Sequence, residues 1–145
     1  LAEICESQGL RLLTDRIHFV DHWITPLGET RRFDTRFFLT RAPEGQQPLH
    51  DDTETIASRW VRPADALALA ERGELDLFPP TIASLQALAP FESADAAIEW
   101  AASVPIPRPI LPKLVVHDGK FAGVIRPGEP GYDTHPDPEY VLGLR

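Results

Sequence analysis

The sequence predicts an α+β fold of layered α/β/α type, and three observations carry that prediction. The order of segments is a helix end, strand-like runs, mostly helical runs and a small hairpin, without regular strand–helix–strand alternation. Residues Arg32 to Phe37 alternate charged with aromatic or β-favouring side chains, which is strand periodicity. Asp118-Gly119 sits between two apolar runs and is a strong two-residue hairpin signal.

Each element has its own justification. Leu1 to Gln8 reads as the last turns of a helix, with Gly9 as its stop. Ile17 to Ile24 reads as a strand closed by Thr25-Pro26, and a turn with Gly28 leads into a second strand, Arg32 to Thr40, so a hairpin is expected. Pro43 to Asp52 is polar and reads as a loop, and Thr53 to Val61 reads as a third strand. Pro63 suits the first position of a helix running to about Arg72 and stopped by Gly73. Pro79-Pro80-Thr81 starts another helix, with Ile82, Leu85 and Leu88 as its apolar stripe. Ser93 is a good N-cap for a helix through about Ala102, with Asp95 near the positive end of its dipole. The prolines from Pro105 to Pro130 break up any long element. Leu114 to Val116 and Phe121 to Ile125 flank the Asp118-Gly119 turn. The whole chain, 1–145, is expected to form one domain, with a Pro-rich, extended C-terminal tail from about 127.

Composition narrows the function. The apolar fraction of 43% over 145 residues suits one globular domain with a real core. A net charge of −8 argues against nucleic acid or an anionic membrane as partner, because both are bound through Lys and Arg. A phosphate-bearing small molecule stays open, since a local arginine cluster can override the global sign. The single cysteine, Cys5, forms no intrachain disulfide, and no run is apolar enough to span a bilayer, so a cytoplasmic location is expected. The chain lacks methionine and begins with Leu1, from which we expect a further N-terminal part.

The alternating strand sets Phe33, Thr35, Phe37 and Leu39 on one face and Arg32, Asp34 and Arg36 on the other. Two guanidiniums with a carboxylate between them suit an anionic ligand, because arginine grips phosphate or carboxylate with a rigid fork of donors. A solvated outer face of an edge strand, with weak charge pairs, explains the same residues and stays open. His18 and His22 have a zinc-like spacing, but four residues of strand span about 13 Å, too far for one ion.

The combination of His22-Trp23-Ile24-Thr25-Pro26, Arg31-Arg32-Phe33-Asp34-Thr35-Arg36-Phe37-Phe38, Glu54 with Trp60-Val61, and Pro79-Pro80-Thr81 resembles the C-terminal half of Nudix hydrolases. It looks most like the subgroup of peroxisomal coenzyme A diphosphatases and their bacterial relatives. Pro127, Gly128, Glu129 and Tyr132 are similar to the end of those proteins. The resemblance implies a Nudix-like α/β/α sandwich with a mixed sheet, of which the N-terminal part, including most of the Nudix helix, is missing here. The family's glutamate-rich box is not intact. The run Ala2 to Leu10 matches its second half in spacing, with Ala2 in place of Arg and Ser7 in place of a glutamate. It is either a degenerate box end or the helix that follows the box.

The resemblance further implies metal-dependent hydrolysis of a diphosphate linkage in a nucleoside-diphosphate-linked or coenzyme A-type small molecule, with Mg²⁺ or Mn²⁺ as cofactor. Glu54 is then the catalytic candidate, as a late metal ligand or a base that orients water, with the main metal ligands outside this chain. Arg32 and Arg36 would clamp phosphate and Asp34 would orient them. Trp23 and Phe33 would stack on a base, line an acyl pocket or serve the core. Two other readings stand beside this one: a non-catalytic Nudix-like binding or regulatory module, and a folding or dimerisation element whose sheet is completed by a homodimer partner or by a missing N-terminal segment.

Overall fold

Chain geometry at the punctuating residues sets most element boundaries. The computed structural model describes residues 1–46 and 58–137. Helix α1 (Ala2–Gln8) ends because Gly9 adopts φ 61, ψ 30, where its N–H turns back to the carbonyls of Cys5 and Glu6. A 3₁₀ turn at Thr14–Arg16, not foreseen from the sequence, leads into strand β1 (His18–Ile24). β1 pairs antiparallel with β2 (Asp34–Leu39), with Trp23 opposite Thr35 and His22 opposite Arg36. A bulge between Phe19 and Asp21 shifts the register, so Phe19 faces Phe38 while Asp21 faces Phe37.

Three helices follow among the described residues. Helix α2 (Pro63–Glu71) and α3 (Pro79–Leu88) each carry proline in the first turn, where a missing N–H costs nothing. They pack on each other. Helix α4 (Ala94–Ser103) is capped by the Ser93 hydroxyl, which accepts from the Ala96 N–H at 3.2 Å. It packs on β1, and the rings of Phe91 and Trp100 meet beside it at 5.4 Å. The chain then forms a second hairpin of β3 (Lys113–His117) and β4 (Lys120–Ile125). Its turn has φ 52 at Asp118 and φ 73 at Gly119, the backbone that the right-handed strand twist favours.

The α+β class is therefore present. A single mixed sheet is not: among the described residues the strands form two separate two-stranded antiparallel sheets. They approach through Ile110, which bridges Trp23 in parallel sense. Its N–H donates to the His22 carbonyl at 2.8 Å and its carbonyl accepts from the Ile24 N–H at 2.9 Å. The expected third strand, Thr53 to Val61, falls largely outside the described residues. Its described end, 58–61, is not in strand, and Trp60 is 72% exposed there.

Residues 127–137 also depart from expectation. Instead of an extended arm they form turns folded back on β3. The Tyr132 hydroxyl donates to the Leu111 carbonyl at 2.8 Å, and His135 Nε2 donates to the Leu114 carbonyl at 2.7 Å. Lys113 Nζ donates to the His135 carbonyl at 2.7 Å while lying 5.0 Å from the centre of the Tyr132 ring. These bonds tie the returning segment to β3 and to Leu111 just before it, and give the Leu111, Leu114 and His135 carbonyls a donor. The core is small, centred on Trp23, Ala66, Ala101 and Leu114.

Candidate functional site

A cleft of about 870 Å³ opens between the first hairpin, the start of α3 and the second hairpin. Such a volume lies within the usual range for small-molecule sites. The first hairpin contributes Trp23, Phe33, Thr35 and Phe37, the approach to α3 contributes Leu77 and Phe78, and the second hairpin contributes Leu114, Phe121 and Val124. Glu29 and Arg31, from the loop joining β1 to β2, are its charged lining residues. A smaller hollow of about 250 Å³ shares Trp23, Pro79 and Val124 with the cleft and reaches Gln86, Arg126 and Glu129.

The walls are held from behind. Asp21 and Trp23 lie two apart on β1, so their side chains share a side. Trp23 Nε1 donates to Asp21 Oδ2 at 2.6 Å, and the other Asp21 oxygen accepts the His22 N–H at 2.8 Å. Thr25 closes the hairpin: its hydroxyl accepts the Phe33 N–H at 2.9 Å and its own N–H donates to the Phe33 carbonyl at 2.9 Å. The Arg31 guanidinium carbon sits 5.6 Å from the centre of the Phe33 ring.

The sequence-derived candidates divide. Trp23 and Phe33 line the cleft. Arg32, Asp34 and Arg36 do not line it. Arg32 Nε donates to the Thr25 carbonyl at 3.0 Å. Asp34 Oδ1 accepts from His22 Nε2 at 2.6 Å and lies 3.5 Å from the Arg36 guanidinium. His22 is 7% exposed, whereas the Asp34 and Arg36 side chains are about half exposed. These three form a polar cluster on the face of the hairpin away from the cleft. Glu54 lies outside the described residues.

Arg31 is the lining guanidinium that sequence reasoning passed over. The signal was present: Arg31 shares the odd-numbered phase of Phe33, Thr35 and Phe37. Phe78 and Phe121 were also missed, because nothing in a single-sequence pattern says that the second hairpin and the start of α3 face the first hairpin.

Among the described residues, Glu129 is the group with a clear shift in acidity. The Arg126 N–H, 2.7 Å from one carboxylate oxygen, holds its pKa below the usual carboxylate value, and the Arg126 side chain adds to this.

No group of three or more His, Cys, Asp or Glu side chains converges among the described residues. Mg²⁺ takes hard oxygen ligands, and Glu29 is the acidic residue lining the cleft. The described residues do not by themselves fit such an ion. No helix among them is long and apolar enough to cross a membrane.

Over 79 residues the chain is 35% identical to the acyl-coenzyme A diphosphatase NUDT19 of Homo sapiens, covering 53% of this chain and 21% of that protein. The matched stretch thus spans about a fifth of that relative's length. This supports a Nudix-like relationship over that stretch. No family model matches the chain. No solved structure matches it.

Proposed function

We propose that this chain is the substrate-walling part of a Nudix-type hydrolase that cleaves the diphosphate linkage of a coenzyme A-type or nucleoside-diphosphate-linked molecule. The observation that carries the reading is the 79-residue likeness to an acyl-coenzyme A diphosphatase. The cleft supports it, because its volume and largely apolar walls suit an organic substrate. In this reading the chain positions the substrate while divalent metal, Mg²⁺ or Mn²⁺, is held by carboxylates outside the described residues, with Glu54 as one contributor. Arg32 and Arg36 would act on phosphate only as part of a surface larger than the cleft, since neither lines it.

The test is incubation of the full-length protein with coenzyme A, ADP-ribose and nucleotide sugars, with Mg²⁺, with Mn²⁺ and with chelator. The expected result is metal-dependent conversion of one substrate into two phosphomonoesters. A second reading, a binding module that does not turn its ligand over, is favoured by Ala2 and Ser7 in the run that matches the box end. Saturable ligand binding with no turnover under any divalent metal would establish that reading and overturn the first.

A further inference from the structure

We propose that the segment from Val104 to Ile110 is a preformed polyproline II ligand, presented to a partner domain whose groove is lined by aromatic rings and flanked by a carboxylate. The proposal concerns neither the cleft nor the hydrolase reading.

The stretch reads Val104-Pro105-Ile106-Pro107-Arg108-Pro109-Ile110, so every residue up to Pro109 is a proline or stands directly before one. A proline ring fixes φ at about −65°, and the residue ahead of it is steered away from the helical region. Val104, where α4 ends, has φ −65 and ψ 127, which is the backbone of the left-handed polyproline helix. Burial has the matching three-residue period. Val104, Pro107 and Ile110 are half-buried, whereas the pairs between them, Pro105 with Ile106 and Arg108 with Pro109, are exposed. One edge of the helix rests on the protein and two edges face out. A half-buried β-strand would alternate with a period of two instead.

Both ends are fastened to the same strand. At one end α4 packs on β1, and the Val104 N–H donates to the Ala101 carbonyl at 3.4 Å. At the other end Ile110 makes its two bonds to the backbone of His22 and Ile24. The segment is held between two posts, so a partner has little left to order when it binds.

The exposed groups select the partner. Ile106 is 86% exposed, the highest value for a large apolar side chain among the described residues. Pro105, Ile106 and Pro109 offer apolar surface to ring faces, and the carbonyls between them accept from tyrosine or tryptophan donors. Arg108 is exposed and makes no ion pair among the described residues, so a carboxylate at the rim of the groove complements it. A strand from a second copy is the wrong occupant. Pro105, Pro107 and Pro109 have no N–H, and a ladder cannot form along this stretch.

The probes are isotopically labelled SH3 and WW domains, which carry aromatic grooves, titrated with the full-length protein and followed by NMR. At least one is expected to shift at its groove resonances and to saturate. Arg108→Glu should weaken that binding roughly fivefold or more, because attraction becomes repulsion. Ile106→Asp should weaken it roughly tenfold through lost apolar contact. Pro127→Ala, at an exposed proline outside the segment, and Phe78→Ser, in the cleft, should leave it unchanged. Ile106 and Arg108 both face solvent, so their variants should keep the parent's urea midpoint, which separates lost binding from lost folding. No shift in either domain overturns the proposal. So does a shift confined to residues outside the groove, or binding that survives both substitutions. A free peptide of residues 103–111 that binds when the full-length protein does not also overturns it, because the protein itself then covers the segment.

Discussion

His22 Nε2 lies 2.6 Å from Asp34 Oδ1, across the hairpin that walls the cleft. A carboxylate only accepts, so the imidazole donates from Nε2. The histidine is buried and the aspartate is half exposed, which makes their substitutions unequal. Asp34→Ala strands a buried donor and should cost about 1–3 kcal/mol, whereas Asp34→Asn keeps an acceptor in place and should cost less than half of that. Urea denaturation of the two variants checks the order. Removing Arg36, whose contact with Asp34 is open to solvent, should change stability by less than about 0.5 kcal/mol.

Asp21 is the anchor for Trp23. Asp21→Ala leaves the buried indole N–H and the His22 N–H without their acceptor and should destabilise by about 1–3 kcal/mol. Because Trp23 walls the cleft, the same variant should weaken ligand binding and alter the tryptophan emission spectrum. Unchanged emission together with unchanged stability would show that the bond contributes nothing.

The turn at Asp118-Gly119 tests backbone strain without steric interference. A Cβ placed on Gly119 meets no atom within 4 Å, so Gly119→Ala carries only the cost of its φ of 73. That cost is about 1–2 kcal/mol, read as a lower denaturation midpoint at unchanged slope.

Glu129 gives the pH dependence. Its folded pKa is depressed by Arg126, so its contribution to stability is present above the ordinary carboxylate range and is lost as pH falls through the lowered value. Carboxyl resonances followed by NMR should show Glu129 titrating below the ordinary glutamate value. Arg126→Gly should move it back up, although the backbone N–H at that position survives the change and will retain part of the shift.

The folded-back segment 127–137 can be loosened one bond at a time. Tyr132→Phe removes the bond to the Leu111 carbonyl and should cost about 0.5–1.5 kcal/mol. Limited proteolysis should then cut between Arg126 and Asp137 before it cuts elsewhere in the second hairpin.

Much of this architecture is readable from residue order, because it is fixed by local chemistry. Gly9, Pro63, Gly73, the Pro79-Pro80 pair, Ser93 and Asp118-Gly119 each impose a backbone geometry that needs no distant partner. Alternation along β2 correctly divided Phe33 and Phe37 from Asp34 and Arg36. Arg32 and Arg36 fall on the face away from the cleft, while Arg31 is in phase with the aromatics that line it. In β1 the bulge between Phe19 and Asp21 resets the phase, so strict alternation from His18 cannot say which face Phe19 takes. The pairing of Ile110 with Trp23 and the return of Tyr132 and His135 to β3 are not legible at all. They are set by tertiary geometry, and the local sequence there carries only prolines and glycines.

The bridge between Trp23 and Ile110 has a kinetic meaning. Both hairpins are contacts between near neighbours and can form on their own in microseconds. Joining them requires the ends of a very long loop, which carries all three middle helices, to meet for the sake of two backbone bonds. Closure of that loop should therefore limit the folding rate, and the junction, once formed, holds the two hairpins together. The cleft spans the two halves it joins, so whatever occupies the cleft also governs how long they stay together.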